Sequence, residues 1–568
     1  MVKKFCSAVF FCAFFITSVY GQKKPNFVQF INSQHTWVDS VFQKLTPKER
    51  IAQLFLVRAH TNLGQRYIDS VAQVIQKEQL GGLVVFQGGP VRHAQMLNQY
   101  QKSAKVPLLV TFDGEWGLGM RLPDSTVSFP YQMTLGAIQN EMLIYEMGRQ
   151  VARDFQRIGM HFNFAPVVDI NNNPKNPVIN FRSFGDNKHN VTRKAKAYMD
   201  GMVDGGIIAS LKHFPGHGDT DVDSHHDLPQ LKFSKARLDS LEIFPFRELI
   251  QQGAPAIMVA HMNIPALDAK PNIPSSISRK VVTDLLRKEL GFNGLTVTDA
   301  MDMKGVKKFF PNGEADVMAI EAGHDLLEIS ENSARAIGLV EKAVKSGRIK
   351  QAELDQRIKR VLAAKYWLGL HQYRPVNTIN LVNDLNTPAS KSLVQRLADA
   401  SVTVLKSDRR IRTFDKKIET AVVSIGVNQL QDFEKGLAVQ LSDRKEFLIT
   451  GKETEDEMKE LLKEIRRSPQ IVLAIHDNRS RPGSEIKVNE QIREFIDRLA
   501  GRRTITIMFT NPYVIDNLPV ERSNSIILAY QNDHFMQKAA LKVLLGQRKA
   551  EGKLPVTVNK RFAYGDGI

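Results

Sequence analysis

Cysteine is almost absent from this chain. The two cysteines, Cys6 and Cys12, both lie within the first dozen residues, so the rest of the sequence offers no disulfide, no thiolate nucleophile and no cysteine-ligated zinc site. Beyond the N-terminal segment no stretch of 18 consecutive apolar residues occurs, and a transmembrane helix is therefore not predicted. The second half also lacks a G-x-G-x-x-G string after a strand-like run, which leaves a dinucleotide site unsupported.

The first 21 residues have the pattern of a secretory signal peptide. Two lysines precede an apolar run over 5–19, which is shorter than the roughly 20 residues needed to span a bilayer. The small residue Gly21 then suits cleavage by signal peptidase. We predict that 1–21 is removed and that the protein is exported, either periplasmic or secreted, with no stable membrane insertion. Lipid anchoring at Cys12 is the alternative.

Composition and charge narrow the class of protein further. The 568 residues are 43% hydrophobic and 24% charged, as in ordinary globular proteins, and the length predicts two or three domains. The formal net charge of +17 could attract nucleic acid or an anionic cell-wall polymer. However, the basic residues alternate with acidic ones, as from Glu455 to Arg467. This pattern is typical of a solvated surface, so no nucleic-acid partner is predicted.

The first two thirds of the chain repeat one pattern. Short apolar runs alternate with helix-like segments, which indicates β/α units and a parallel sheet. The eight runs are Ile51–Val57, Gly82–Phe86, Pro107–Phe112, His161–Val168, Gly206–Leu211, Ala256–Ala260, Leu295–Thr298 and Asp325–Leu327. Eight such units predict an α/β fold with an N-terminal (β/α)8 barrel of the TIM type.

Each of these runs is followed by a polar or ionisable residue. These residues are Arg58, Gln87, Asp113, Asp169, Lys212 with His213, His261, Asp299 and Glu328. Polar residues begin many loops, but the carboxyl ends of barrel strands are also where barrel enzymes build their active sites. The pattern therefore predicts a site at this end of the barrel.

The second half of the chain has a different organisation. A periodic segment over 351–368 predicts the closing helix of the barrel, and a connector without clear period follows it. Further apolar runs then alternate with charged helices, which predicts a smaller C-terminal α/β sandwich. The predicted boundaries are a barrel domain over 27–372, a linker over 373–392 and the sandwich over 393–568.

A histidine-rich segment directly follows the fifth run. Four of the 14 histidines fall within residues 213–226. His213, His217, Asp221 and His225 could serve as metal ligands, but their spacing matches no usual zinc signature. The alternative is acid/base chemistry, in which Asp223 orients and charges His225. A third interpretation is that these residues are simply polar side chains in turns, without a catalytic or metal-binding role.

Two strings resemble a known family. The string K-H-F-P-G-H-G-x-T-x-x-D-S-H over 212–225, with Val297-Thr298-Asp299-Ala300-Met301, is similar to bacterial β-N-acetylglucosaminidases of glycoside hydrolase family 3. Further strings that support the resemblance are Asp113-Gly114-Glu115, Asn163-Phe164-Ala165-Pro166-Val167-Val168-Asp169, Arg182-Ser183-Phe184-Gly185 and, in the second half, Gly552-Lys553-Leu554-Pro555-Val556. The resemblance covers about 47–369 and implies a retaining glycosidase that needs no cofactor and no metal.

The resemblance also implies roles for individual residues. Asp299 is expected to be the nucleophile and His225 the general acid/base, with Asp223 as its orienting partner. The residues expected to bind the sugar are Asp113, Arg121, Arg182, Lys212 and His213. Family members commonly carry D-x-E-G-G after the third strand, whereas this chain has Trp116 at the first of those two glycines. That departure bears on the local loop shape and on the preference for the leaving group.

The expected function is therefore an exported exo-β-N-acetylglucosaminidase. Its substrate would be a β-GlcNAc-terminated glycan or muropeptide, attacked by an ionised Asp299 while a histidine supplies the proton. A histidine does this without placing a second anion beside the nucleophile. The alternatives are a β-glucosidase of the same family and a catalytically inactive carbohydrate-binding protein. The sequence makes no prediction of the oligomeric state.

Overall fold

The protein is an α/β protein with two separate β-sheets. The computed structural model describes residues 24–221, 227–406, 414–479, 482–483, 486 and 488–568. The first sheet contains eight strands and the second contains six, each within its own set of helices. The predicted fold class is confirmed.

The first sheet is a parallel barrel. Its strands are β1 Phe55–Ala59, β2 Gly82–Val85, β3 Leu109–Phe112, β4 Phe162–Asn163, β5 Ile208–Phe214, β6 Ala256–Val259, β7 Leu295–Thr298 and β8 Leu327–Glu328. Hydrogen-bonded neighbours follow the order β7-β6-β5-β4-β3-β2-β1-β8. A parallel bridge from Val297 to Leu326 joins the two ends of this sheet, so the carboxyl ends of all eight strands face one mouth.

Helices surround the barrel and connect its strands. In the first part of the chain they are α1 Phe27–Ile31, α2 Thr36–Lys44, α3 Pro47–Ala52, α4 Gln65–Glu78, α5 Pro90–Ser103, α6 Gln132–Gly136, α7 Glu141–Arg157, α8 Lys188–Asp204, α9 Lys235–Ser240, α10 Phe244–Gln251, α11 Lys304–Lys307, α12 Glu314–Ala322, α13 Ser333–Lys345 and α14 Gln351–Trp367. A π-helical segment spans Lys280–Glu289, and short 3-10 segments span Leu118–Met120, Pro123–Ser125, Asn180–Arg182, Ser275–Ile277 and Leu370–Gln372.

Two strand predictions fail for physical reasons. The first predicted run begins at Ile51, but that residue belongs to α3. A capping box between Thr46 and Glu49 starts this helix, and Pro47 lies in its first turn. The fourth predicted run extends to Val168, but regular pairing ends after Phe162–Asn163. Pro166 lacks the N–H that a continuous ladder requires.

Two further differences move site residues into strands. The fifth strand continues to Phe214, so Lys212 and His213 lie on the strand rather than after it. The eighth strand is Leu327–Glu328 rather than Asp325–Leu327. The sequence prediction placed the polar residues correctly at the carboxyl ends but began their loops too early.

The second sheet forms the core of the smaller half. Its strands are β9 Thr403–Lys406, β10 Thr420–Ile425, β11 Arg444–Ile449, β12 Gln470–His476, β13 Thr504–Phe509 and β14 Ser525–Leu528. The order is β11-β10-β12-β13-β14-β9, with β9 antiparallel to its neighbour and the other pairs parallel. The accompanying helices are α15 Leu381–Leu385, α16 Pro388–Ser401, α17 Asp432–Gln440, α18 Glu455–Ile465, α19 Glu490–Leu499, α20 Val514–Asn517 and α21 His534–Leu544.

The sequence prediction missed β11. This strand lies at the edge of the sheet and begins with the charged residues Arg444, Lys445 and Glu446, which remain partly or fully exposed. Charged edge strands protect a sheet against pairing with another chain. Because these charged residues interrupt the apolar run from which a strand is predicted, the sequence pattern does not indicate β11. The predicted linker also contains α15 and the start of α16.

The C-terminal half packs directly against loops at the barrel mouth. The N–H of Asp186 donates to the carbonyl of Pro555 at 3.3 Å. Gly185 has φ +133°, and a Cβ there would lie 2.1 Å from the same carbonyl oxygen. The string 552–556 therefore holds the loop that carries Arg182. On the other side of the junction, Asn171 donates to the hydroxyl of Tyr513 at 3.0 Å.

Candidate active site

The barrel mouth brings together the described residues that the sequence predicted to act. Asp113 follows β3, Lys212 and His213 lie near the end of β5, and Asp299 follows β7. Arg121 and Arg182 enter from loops after β3 and β4. Asp223 and His225 lie outside the described residues.

Asp113 is the centre of the first charged group. Its Oδ1 accepts a hydrogen bond from Lys212 Nζ at 2.8 Å, and its Oδ2 accepts one from Arg121 Nη2 at 2.9 Å. The Nε of Arg121 is buried and has no hydrogen-bond partner among the described residues.

Glu115 is the centre of a second charged group. Arg182 binds it through both Nε, at 2.9 Å, and Nη2, at 2.6 Å. Lys212 Nζ lies 3.0 Å from the same carboxylate and so joins Glu115 to Asp113. Glu115 is fully buried, and no role is predicted for it from the sequence. Its place two residues after Asp113 was the available signal.

The charges in these two groups maintain each other. Burial alone would raise the pKa of Asp113 and of Glu115, but the nearby cations outweigh it. Lys212 and Arg121 lower the pKa of Asp113, and Arg182 with Lys212 lowers that of Glu115 to about 2. Although burial opposes it, the two carboxylates raise the pKa of Lys212. Two anions and three cations are thus ionised side by side before any ligand binds.

Asp169 orients His213 from below. The Nδ1 of His213 lies 2.7 Å from Asp169 Oδ2, and the backbone N–H groups of His213 and His217 also donate to this carboxylate. The other ring nitrogen, Nε2, lies 3.4 Å from Arg182 Nη2. Because an arginine can only donate, this contact requires the proton of His213 to be on Nδ1. Asp169 thereby fixes the tautomer and the ring direction.

The loop after β5 folds tightly onto the loop after β4. A Cβ at Gly218 would lie 1.8 Å from the carbonyl oxygen of Ile170, so only glycine fits there. His217, next to it, contacts Thr220 Oγ1 through Nδ1 at 2.8 Å, and its Nε2 has no partner among the described residues. Burial lowers the pKa of His217 to about 4, which keeps the ring neutral.

Asp299 leaves the barrel at the end of β7. Its backbone N–H donates to the carbonyl of Val259 on β6, and its Oδ1 accepts from the N–H of Ala300 at 2.8 Å. His261, which follows β6, lies with its Nε2 3.0 Å from the carbonyl of Ala300 and its Nδ1 2.6 Å from Ser276 Oγ. The backbone of Asp299 is thus fixed to β6, and its carboxylate is held by the N–H of the next residue, Ala300.

Glu328 completes this side of the mouth. It ends β8, it is 3% exposed, and its Oε2 has no hydrogen-bond partner among the described residues. Nearby, Arg58 on β1 pairs with Asp302 at 3.1 Å. Both Glu328 and Arg58 are among the polar residues predicted at the strand ends. The sequence does not show that Arg58 forms an ion pair whereas Glu328 has an oxygen without a hydrogen-bond partner among the described residues.

Aromatic residues line the edge of the mouth nearest the C-terminal half. The ring of Trp116 lies 4.7 Å from that of Tyr131, edge to face, and Tyr131 stacks on Phe181 at 4.5 Å. The ring of Trp116 also lies 6.4 Å from that of Phe181, so Trp116 contacts the loop that carries Arg182. The backbone of Tyr131 donates to Gln531 of the second half at 2.6 Å.

The described residues contain no group of three His, Cys, Asp or Glu side chains placed to hold a metal ion. His225, part of the alternative metal set, lies outside them. Within the same described ranges, no helix combines the length and apolar character needed to cross a membrane.

Comparison with known proteins places the chain among glycosidases. Residues 46–364 match the family described as glycosyl hydrolase family 3 N terminal domain. Beta-hexosaminidase A of Pseudoalteromonas piscicida is 27% identical over 551 residues, which cover 86% of this chain and 91% of the relative. An uncharacterized secreted glycosyl hydrolase of Arthroderma benhamiae is 30% identical over 312 residues, covering 52% and 87%.

A solved structure agrees with these matches. The glycoside hydrolase family 3 beta-N-acetylglucosaminidase from Paenibacillus sp. str. FPU-7 is 32% identical and superposes with a TM-score of 0.76. The match covers 91% of this chain and 99% of the solved chain. It therefore extends over both the barrel and the second sheet.

Proposed function

The chain belongs to glycoside hydrolase family 3, and from that premise we propose that it is an exported, retaining exo-β-N-acetylglucosaminidase acting on peptidoglycan fragments. Beta-hexosaminidase activity is named for one relative and beta-N-acetylglucosaminidase for one solved neighbour, and both align over most of the chain. The proposal goes further than these names in the substrate, the export and the residues that act.

The charged network around Lys212 is the observation that supports sugar binding most directly. Sugar hydroxyl groups both donate and accept hydrogen bonds, and the network presents ionised acceptors beside ionised donors in a buried setting. Charge-assisted bonds of this kind are about twice as strong as neutral ones. Because the pairs already exist, little reorganisation is needed when a sugar replaces water, which favours the transition state.

Asp299 is the proposed nucleophile. Its position directly after β7 and its backbone hydrogen bonds hold the carboxylate in one place. In a retaining glycosidase the proton donor stands about 5 to 5.5 Å from the nucleophile. His225 is the proposed donor and Asp223 its orienting partner, on the basis of the D-S-H string. The first step forms a glycosyl-enzyme bond at Asp299 and releases the protonated leaving group, and water then hydrolyses that bond.

Export is the part of the proposal that depends on the N-terminal residues. The lysines, the apolar run and Gly21 form a signal-peptide pattern, and one relative is described as secreted. An enzyme outside the cytoplasm that removes β-linked GlcNAc would meet peptidoglycan fragments.

The test is hydrolysis of a panel of 4-nitrophenyl β-glycosides by the purified protein. We expect kcat/KM for the β-GlcNAc substrate to exceed that for the β-glucoside by at least about tenfold, because the site must make contacts that only the acetamido group satisfies. Release of GlcNAc from disaccharide muropeptides, followed by mass spectrometry, tests the natural substrate.

Other outcomes select the alternatives. A preference for the β-glucoside would favour a β-glucosidase. Binding of GlcNAc oligosaccharides without turnover of any glycoside would favour a carbohydrate-binding protein. Hydrolysis of aryl β-GlcNAc without any action on muropeptides would support the proposed β-N-acetylglucosaminidase reaction but contradict the proposed peptidoglycan substrate.

A further inference from the structure

Glu328 is a buried carboxyl group at the barrel mouth that takes no part in the proposed glycosidase reaction. Its backbone is fixed on two sides, since its N–H donates to Thr298 Oγ1 at 3.0 Å and its carbonyl accepts from the N–H of Met301 at 2.8 Å. Thr298 immediately precedes Asp299. The strand that carries Glu328 is therefore joined directly to the strand that positions the proposed nucleophile.

One oxygen of the Glu328 side chain is not satisfied by the described residues. It is 3% exposed, and Oε2 has no hydrogen-bond partner among the described residues. Burying such a group without a partner destabilises a fold, and strand positions inside a barrel usually carry Val, Ile or Leu. A carboxyl group kept here at a cost in stability indicates a partner that binds from outside the protein.

The surroundings of Glu328 favour a neutral carboxylic acid. Burial raises its pKa well above the ordinary value, and the negative charges of Asp113 and Asp299 raise it further. Lys212 and Arg121 oppose this effect without cancelling it. On the neighbouring strand β1, the charge of Arg58 is already paired with Asp302. The group can therefore offer an O–H donor where the other carboxyl groups of the mouth can only accept.

We propose that Glu328 acts as a neutral hydrogen-bond donor to a hydroxyl group of the sugar held in the barrel mouth, and so helps to determine which sugar is accepted. This inference rests on the proposed glycosidase function and adds a binding residue to it. A neutral acid can contact the sugar beside Asp299 without adding a second negative charge, which would disfavour the ionised nucleophile. The two sides of the mouth thus recognise the sugar by different means.

Two substitutions of Glu328 separate the donor from the charge. Glu328→Gln keeps an N–H donor and has no charge, so we expect kcat/KM to stay within about fivefold of wild type. Glu328→Leu removes the donor and retains the volume, so we expect a loss of about 10- to 100-fold. Asp154→Asn on α7 is the control for changing another buried carboxyl group whose pKa burial raises, to about 7, and its kcat/KM should match that of wild type.

Deoxy substrates identify the contact itself. Wild type and both variants are assayed with 4-nitrophenyl β-GlcNAc and its 3-, 4- and 6-deoxy analogues. We expect one analogue to be hydrolysed about 10- to 100-fold less well by wild type and by the Gln variant. The Leu variant should show a difference of less than about threefold for that analogue and keep its penalties for the others.

Several results would overturn the inference. One is an unchanged kcat/KM in the Leu variant. Another is a Leu variant in which each of the three deoxy analogues is hydrolysed less well than the parent substrate by the same factor as in wild type. If the Leu variant does not fold, the Gln variant decides: a loss above about 100-fold would show that an ionised carboxylate is required. Failure of the proposed function is distinguishable from these results, because wild type would then either prefer β-glucosides or bind sugars without hydrolysing any glycoside. The deoxy-glucoside series tests Glu328 equally well, since both sugars share these three hydroxyl groups.

Discussion

Buried charge is arranged differently at the two ends of the barrel. At the mouth, Lys212 lies within 3.0 Å of both Asp113 and Glu115. At the base, the buried amine of Lys365 lies against the amide oxygen of Gln53 at 2.8 Å. Burial lowers the pKa of Lys365 to about 7, whereas the pKa of Lys212 is raised.

Two histidines at the base follow the same pattern as Lys365. His161 precedes β4 and accepts from the N–H of Val110 at 3.0 Å, while His324 precedes β8 and lies 2.8 Å from the carbonyl of Ser276. Burial lowers the pKa of each to about 3, so both rings are neutral. The base does hold one ion cluster, in which Asp325 contacts Arg287 and Arg360.

The difference follows from what each end must do. Keeping a charge in the interior costs several kcal/mol unless opposite charges and hydrogen bonds offset it. The mouth offsets this cost with ion pairs, which the proposed function would use to bind the sugar. At the base, burial favours the neutral forms of Lys365 and His161, and Arg287 with Arg360 offsets the charge of Asp325. Substitutions at the mouth should therefore affect catalysis most, and those at the base stability.

The largest effect is expected for Asp299→Asn. Loss of the proposed nucleophile should remove at least about 4 kcal/mol of transition-state stabilisation, or about a thousandfold in kcat/KM. The thermal midpoint should change little, since the amide can still accept from the N–H of Ala300. Assays with 4-nitrophenyl β-GlcNAc and thermal unfolding measure both. Asp302→Asn is the control at the same loop and should lose less than about tenfold. Near-normal turnover by the Asp299 variant would move the nucleophile elsewhere.

A second effect separates binding from folding at the mouth. Lys212→Met leaves Asp113 and Glu115 buried with one cation fewer, so we expect a loss of about 3 kcal/mol in stability and about 100-fold in kcat/KM. Adding Asp113→Asn should restore part of the stability, because it removes one of the two anions, but none of the activity.

Denaturant unfolding and steady-state kinetics on the single and double variants measure these two responses. If stability and activity recover together in the double variant, the network serves folding alone. If Lys212→Met hydrolyses substrates normally, sugar recognition lies outside this network.

The fold could be predicted from the sequence because the barrel strands are short apolar runs with polar ends. β7 was predicted with its observed bounds, Leu295–Thr298. The failures have local causes: Pro166 interrupts β4, a capping box at Thr46 extends α3 over the first run, and charges hide β11 at the sheet edge.

The candidate site was predictable only in part. Residue types at strand ends identified Asp113 and Lys212, but spacing along the chain does not tell which acid meets which cation in space. The partners of Glu115 and Asp169, and so the parts these two residues play, therefore emerged only from the three-dimensional contacts. The unsatisfied oxygen of Glu328 could not be read from sequence at all, because it depends on what the neighbouring strands fail to provide.

The smallest effect on activity, and the sharpest test of the base, is expected for Lys365→Met. The unfolded chain binds a proton at Lys365 up to its ordinary pKa of 10.5, while the folded protein releases it near pH 7. Between these values the unfolded state binds more protons, so this group makes the wild type more stable as pH rises. Removing it should stabilise the protein by several kcal/mol near pH 7, and the gain should vanish toward pH 10.

The measurement is the difference in unfolding free energy between Lys365→Met and wild type at pH 7, 8.5 and 10. Other groups titrate in this range, but they do so in both proteins and cancel in the difference. Near pH 10.5 the variant should be slightly less stable than wild type, because Gln53 loses its hydrogen-bond partner. Activity at 25 °C should match wild type, since the amine lies at the opposite end from Asp299. A difference that is independent of pH would show that Lys365 keeps its proton in the folded protein, and the contrast between the two ends of the barrel would then not hold for this residue.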